Sequence, residues 1–406
     1  MNVSVLRYIF VFLVLCHPLV AQVSDTTQVE RLQLVHADRL VGQNVGQDNV
    51  RQLIGNVKFR QGDAVLTCNR ATQYVEAGRT ILYGDVAYVD TAKSLYGDKI
   101  TYYEATQIAY VEGNVKLVDS TKTLYADRLR YYDEEEKAVA EGNVVMIDDA
   151  EDMVLTGTFA EYLQESKYAQ VTGQPVLTKQ DTTDSSELVI RGSFFEMFDD
   201  GDRFVVTDSV HVTRGEIEAF CDTLIYLQEA SKITLASLPR VHQGEQYLTG
   251  RSVSLLLDEA DVVGIEISGN AIATSRVDSS IITNVPYDLL TGEDMMVYVT
   301  DENIDSVRIV GRATSYYHVI EEGKEEGLNK ALGDTMFIVF QDQELRRVRV
   351  TSSPSASTGE FYPPSHQSTL EAELIEELKN VGVSVTESSN QGALQISHGR
   401  LANTKE

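Results

Sequence analysis

Asp38, Asp98, Asp127 and Asp222 stand at one equivalent place in a recurring block of the sequence. Regularly spaced carboxylates are the raw material of stacked calcium sites. Repeat proteins that bind calcium in this way use a much shorter G-G-x-G-x-D unit, which this chain lacks. A basic residue directly follows three of the four aspartates: Arg39, Lys99 and Arg128. The column therefore reads as a charged ladder on a solvated surface rather than as a metal site.

Other reactive side chains are scattered. Beyond the N-terminal leader the histidines are His36, His211, His242, His318, His366 and His398, and none falls in H-E-x-x-H spacing. P-loop, nucleophile-elbow and dinucleotide fingerprints are missing. Carboxylates are numerous enough to furnish a glycosidase pair, and a β-solenoid polysaccharide enzyme is the natural enzymatic alternative. Such an enzyme needs bases around an acidic polymer, whereas this chain carries a formal charge of -28. The expectation is a protein that is not an enzyme, with no catalytic residue, metal or cofactor. The same acidity argues against nucleic acid and against lying flat on an anionic membrane. An anionic partner has to be held by its apolar part.

The elements that carry these residues come from an internal repeat. Gly55-Asn56-Val57, Gly84-Asp85-Val86, Gly113-Asn114-Val115 and Gly142-Asn143-Val144 recur at an unbroken interval of 29 residues, with looser copies at Gly173, Gly269 and Gly311. A second block follows 13 positions after the glycine: "CNRATQY" at 68, "GDKITYY" at 97 and "ADRLRYY" at 126, with "CDTLIYL" at 221. Roughly ten degenerate units are expected between about residues 30 and 351.

Segments such as "GNVKLVD" and "GDVAYVD" are rich in Val and Tyr and close on Asp beside a turn-forming neighbour, which reads as strand. Period two puts Val57 and Phe59, Val86 and Tyr88, Val115 and Leu117, and Val144 and Met146 on one face. Leu66, Leu95 and Leu124 continue that face in the second block. The phase then slips, because Leu129 and Tyr131 are odd where Leu124 and Ala126 are even, and a bulge or corner at "AD" would account for it. Each unit is expected to place one strand in each of two facing sheets, advancing the stack by about 4.8 Å. On that spacing Cys68 and Cys221, which share the small-residue slot of Gly97 and Ala126, stand far beyond the ~7 Å that a disulfide allows. Two free, buried thiols are expected.

The termini differ from the repeat. Residues 1–21, "MNVSVLRYIFVFLVLCHPLVA", read as an export signal: the apolar run is too short to span a bilayer, and Ala21 suits cleavage. From Ser352 a Ser/Pro linker leads to Ser368 and Glu371 in capping-box spacing, with Leu370, Leu374, Ile375 and Leu378 on one helical face. The expected organisation is a leader at 1–21, a first β-segment at 22–175, a second at 176–351 continuous with the first, and a linker, short helix and flexible tail at 352–406.

The glycine-led strands, the "ADRLRYY" block and "GLNKALGDTMFIVFQDQELRRVRV" at 327–350 resemble the OstA-like family of lipopolysaccharide-transport proteins (LptA, LptC and the periplasmic part of LptD). The resemblance implies an all-β fold, an elongated open β-jellyroll of two facing antiparallel sheets with a short C-terminal helical tail. It also implies a periplasmic lipid carrier or bridge, in contact with the outer membrane, whose interior shields the acyl chains of lipopolysaccharide. The inward positions carried over are Val57, Phe59, Leu66, Val86, Tyr88, Leu95, Val115, Leu117, Leu124, Val144 and Met146. Implied partners are lipopolysaccharide or a related glycolipid, other OstA-like jellyrolls or a second copy paired edge to edge, and outer-membrane assembly components. The alternative is a structural or adhesive β-solenoid whose apolar face is only core.

Overall fold

The computed structural model describes residues 33–397 apart from short stretches, of which 181–186 and 388–393 are the longest. The leader at 1–21 and the end of the tail lie outside the described residues. The chain forms the expected all-β antiparallel jellyroll with a C-terminal helix. It divides into two compact units, Asn2–Gly215 with Ile225–Ala230, and Glu216–Leu224 with Ser231–Glu406.

The first unit holds β1 (Gln33–His36), β2 (Arg39–Val45), β3 (Asp48–Gln61), β4 (Ala64–Tyr74), β5 (Arg79–Val89), β6 (Lys93–Tyr103), β7 (Ile108–Asp119), β8 (Lys122–Tyr132), β9 (Lys137–Asp148), β10 (Met153–Leu163), β11 (Tyr168–Thr172), β12 (Val176–Gln180), β13 (Glu187–Arg191), β14 (Phe194–Phe198) and β15 (Arg203–Arg214). From β3 to β10 each strand pairs antiparallel with the next. The hairpins are tight: Gln61 pairs with Ala64, and Tyr74 with Arg79. Pairing continues past residue 176, where β12 joins β10 to β13.

The repeated glycine does not lead a strand, as the sequence pattern suggested, but sits in the middle of one. Between β5 and β6, Tyr83 pairs with Lys99 and Val86 with Gly97. Gly84 and Asp85 therefore oppose the single residue Asp98, which is a β-bulge. Gly84 and Asp85 both have positive φ, +74° and 46°. Each long strand bends at this point, so its two halves belong to two different walls. The expectation of one strand per wall per unit is corrected accordingly: a 29-residue unit contributes two strands, and each crosses from one wall to the other.

Paired positive-φ residues recur at 55/56, 84/85, 113/114, 142/143, 173/174, 208/209, 237/238, 269/270 and 311/312. Among the described residues these make nine bends, against the roughly ten units expected from the sequence. Two of them, Asp208-Ser209 and Ser237-Leu238, contain no glycine.

Strand β16 (Ile217–Leu227) has its residues up to Leu224 in the second unit, which continues with β17 (Lys232–Ala236), β18 (Arg240–Gln243), β19 (Gln246–Thr249), β20 (Ser252–Asp258), β21 (Asp261–Arg276), β22 (Tyr287–Thr300), β23 (Asn303–Glu321), β24 (Lys324–Gln341), β25 (Glu344–Thr351) and β26 (Thr358–Tyr362), then helix α1 (Ser368–Asn380) and a hairpin of β27 (Ser384–Glu387) and β28 (Leu394–Ser397). Val253, Ile267, Met295, Ile309 and Met336 from one side of the bends cluster with Ala271, Ala313 and Ala331 from the other. The two walls thus pack on one another here.

Helix α1 covers the opposite face of one wall. Leu370, Leu374 and Leu378 are buried against Tyr247, Tyr287, Leu289, Tyr316 and Leu328. Its cap lies one residue earlier than the capping-box spacing suggested. The first helical bond runs from Glu371 N to Gln367 O (2.9 Å), and Gln367 Nε2 donates to Glu371 Oε1 (3.0 Å). No described helix is long and apolar enough to cross a membrane.

Candidate functional site: a two-walled apolar interior

The bend is closed by side chains as well as by backbone. Asn114 Nδ2 donates to Asp98 Oδ2 at 2.9 Å and Asn143 Nδ2 to Asp127 Oδ2 at 2.9 Å, each pairing the amide of a Gly-Asn doublet with the residue that opposes it. Asn56 Nδ2 donates likewise to Asp38 Oδ2 at 3.0 Å. At the fourth bend the residues are exchanged: Asn69 Nδ2 donates to Asp85 Oδ2 at 3.1 Å. One amide meets one carboxylate in every case. The aspartates thus serve the bend, and the bases beside them turn to the adjacent strand, Lys99 to Glu112 at 2.5 Å and Arg128 to Glu141 at 3.6 Å.

On one side of the bends lies the wall predicted from the sequence. Phe59, Leu66, Tyr88, Leu95, Leu117, Leu124 and Met146 are successive cross-strand partners in a single row. The row begins at Leu34 and continues through Leu155, Leu177, Ile190 and Val212. Val57, Val86, Val115 and Val144 form a buried second row next to the bends, facing Cys68, Gly97, Ala126 and Gly157.

Those small partners have a steric cause. A Cβ on Gly97 would meet Val111 Cγ1 at 2.6 Å, and one on Gly157 would meet Val171 Cγ1 at 2.7 Å. Cys68 and Cys221 are free and buried, as expected from the slot they share. Burial raises the Cys68 thiol to about 11 and the Cys221 thiol to about 12.

The opposite wall was not recognised from the sequence. Leu53, Ala71, Leu82, Ile100, Val111, Leu129, Ala140, Ala160, Val171, Phe195 and Val206 form an equally continuous row. The signal was present, since Leu82, Val111 and Ala140 each stand two residues before a repeated glycine. Farther from the bend, a third row passes from Gln73, Thr80 and Tyr102 to Tyr162, Met197 and Phe204.

Burial changes along the rows. From β8 onward Leu124, Met146, Leu155, Leu177, Tyr162, Met197 and Phe204 are at most 4% exposed, so the walls mesh. From β3 to β7 Phe59, Leu66, Tyr88, Leu95 and Leu117 are only partly covered, and Tyr102 on the far wall is 38% exposed. The first unit is closed at one end and offers a partly open apolar trough at the other.

These features define a class: an antiparallel jellyroll folded along a line of bulges, with apolar interior walls. Residues 29–187 match the family profile described as OstA-like protein. No curated protein matches. Among solved structures the chain is similar to LptH from Pseudomonas aeruginosa, described as the LptA-homologous periplasmic component of a lipopolysaccharide transport device. That likeness is 18% in sequence identity, covers 29% of this chain and 82% of that one, and has a TM-score of 0.26.

Proposed function

We propose that the first unit is a periplasmic lipid carrier that shelters acyl chains in its open trough, and that it belongs to a lipopolysaccharide-type transport system. The carrying observation is the row Phe59–Leu66–Tyr88–Leu95–Leu117, apolar throughout yet only partly covered. The OstA-like match over residues 29–187 supports it, because the matched segment contains this row.

The driving force is elementary. Moving a methylene out of water gains about 0.8 kcal/mol, so a twelve-carbon chain gains of order 9 kcal/mol before the costs of ordering it. The charged head of such a lipid stays outside, since a chain of formal charge -28 offers little attraction to phosphate. Lipid is then held by its tails, while the acidic exterior limits adhesion to anionic membranes. The leader read at 1–21 supports export. Strands at the two ends of the pairing order, β1 with β2 and β25 with β26, supply edges for joining other OstA-like jellyrolls, a second copy or outer-membrane assembly components.

Native mass spectrometry of the protein after mild extraction tests the reading. Retained glycolipid mass is expected, and its loss is expected in Leu117→Asp. A protein that carries no lipid, and whose Leu117→Asp variant is indistinguishable, would leave the structural solenoid, a reading favoured by the meshed walls beyond β8.

A further inference from the structure

The charge of the chain is not evenly spread. Strand β25 reads Glu-Leu-Arg-Arg-Val-Arg-Val-Thr, and Arg346, Arg347, Val348 and Arg349 are all exposed. Its pairing partner is β24. Arg308, Phe337 and Arg349 are successive cross-strand partners, as are Ser306, Val339 and Arg347, so arginines of β23 and β25 share one outward face across β24. Phe337, at 36% exposure, lies directly between Arg308 and Arg349, and Tyr298 and Val310 are exposed on the same face. Among the described residues, no carboxylate pairs with Arg308, Arg346, Arg347 or Arg349. In a protein of charge -28 this is an unneutralised basic edge.

We infer that β25 is a recognition edge for an extended acidic segment of a partner protein, with carboxylates at alternate positions. An added strand exposes every second side chain on the face of Arg347 and Arg349. Carboxylates there would meet the two guanidiniums across the strand. The intervening residues would turn inward beside Val348, which is apolar and 41% exposed at the rim. The partner pattern is thus acidic–apolar–acidic–apolar.

Two other occupants fit less well. A second copy presenting β25 sets Arg against Arg, and one presenting β1 and β2 brings Gln33, His36 and Arg39 with exposed Leu34, Val35 and Leu40; its one carboxylate there, Asp38, is already held by His36 and Asn56. A flat anionic bilayer meets the acidic remainder of the molecule as well as the edge, whereas a single strand meets only the edge. Charge on a rim strand also discourages indiscriminate pairing, which is consistent with a selective edge.

The proposal rests on the edge-pairing part of the function proposed above and not on its lipid part. The test uses the full chain and a labelled short peptide with glutamates alternating with valines, read by fluorescence anisotropy. Salt-sensitive binding is expected, with a loss of about tenfold, equivalent to ~1.4 kcal/mol, in the Arg347→Glu/Arg349→Glu variant. That variant is expected to bind the lysine counterpart of the peptide instead, which shows that its edge is still folded. The inference is overturned if no peptide binds, if a peptide of the same composition with its glutamates in one block binds equally, if the variant retains full affinity, or if phosphatidylglycerol vesicles take the place of the peptide. Glycolipid retention by the same variant is unchanged if the trough acts independently, so failure at the edge and failure of the trough are told apart.

Discussion

Replacing Gly113 by Ala tests the bend most directly. Gly113 has φ +75°, and a Cβ built there would fall 2.3 Å from Asp98 Oδ2. Two costs follow. Holding a non-glycine residue in the left-handed region costs roughly 1–2 kcal/mol. Displacing the Asp98 carboxylate breaks its bond to the Asn114 amide, worth a further ~1 kcal/mol. The sum is about 2–3 kcal/mol, large against the net stability of a domain. Gly46 separates the two contributions, because its φ is +65° but nothing lies within 4 Å of an added Cβ. Gly46→Ala should show the backbone cost alone. The chain has no Trp, so urea unfolding is followed by far-ultraviolet circular dichroism, comparing midpoints at constant slope. Asp98→Ala should cost less in the Gly113→Ala background than in the wild type, because the clash has already broken its hydrogen bond. The reasoning fails if Gly113→Ala is no more disruptive than Gly46→Ala, or if the two substitutions at 98 and 113 are simply additive.

Three further outcomes follow from the same geometry. Asn114→Asp should set two carboxylates against each other and lower the urea midpoint in a salt-sensitive way, while Asp98→Asn/Asn114→Asp should recover it by recreating the Asn69–Asp85 arrangement. Leu124→Ala, in the meshed part of the row, should cost about 2–5 kcal/mol, whereas Leu117→Asp should leave circular dichroism and most of the stability intact while lowering lipid retention. Cys68 and Cys221 are held protonated in the fold, to about 11 and about 12, whereas an unfolded chain releases those protons near ~8.5. The folded state then binds more protons above that point, so stability should fall as the pH rises from about 8.5 toward 11. Alkylation by iodoacetamide at pH 8 should be slow until denaturant is added.

Half of the interior was legible in the sequence. The row from Phe59 to Met146 followed from period-two alternation after each glycine, and the register places all of those residues together. The second wall was not seen, because alternation was counted from the glycine as though it opened the strand. Leu82 and Val111 lie an even four residues before Val86 and Val115, so the same alternation carried back through the glycine would have included them. The slip at Leu129 and Tyr131 marks the same corner, but the extra residue read at Ala126-Asp127 lies on the neighbouring strands, at Gly113-Asn114 and Gly142-Asn143. Bends at 208/209 and 237/238 could not be found by looking for glycine, since Asp, Ser and Leu adopt the left-handed backbone there. Helix α1 was visible from its leucines, but not the face it covers, because Tyr247, Leu289 and Tyr316 come from strands far apart in the chain.

The amide–carboxylate clasp at the first four bends lies between neighbouring rungs and reaches no others. Rungs gained or lost as whole hairpins would leave the remaining clasps as they were, and only the two terminal rungs would meet new company. The reach of such a molecule can therefore be lengthened by duplication without redesigning its bore, which the wall residues set separately. A lineage built on this plan can tune how far it extends and how much room it encloses as two independent traits.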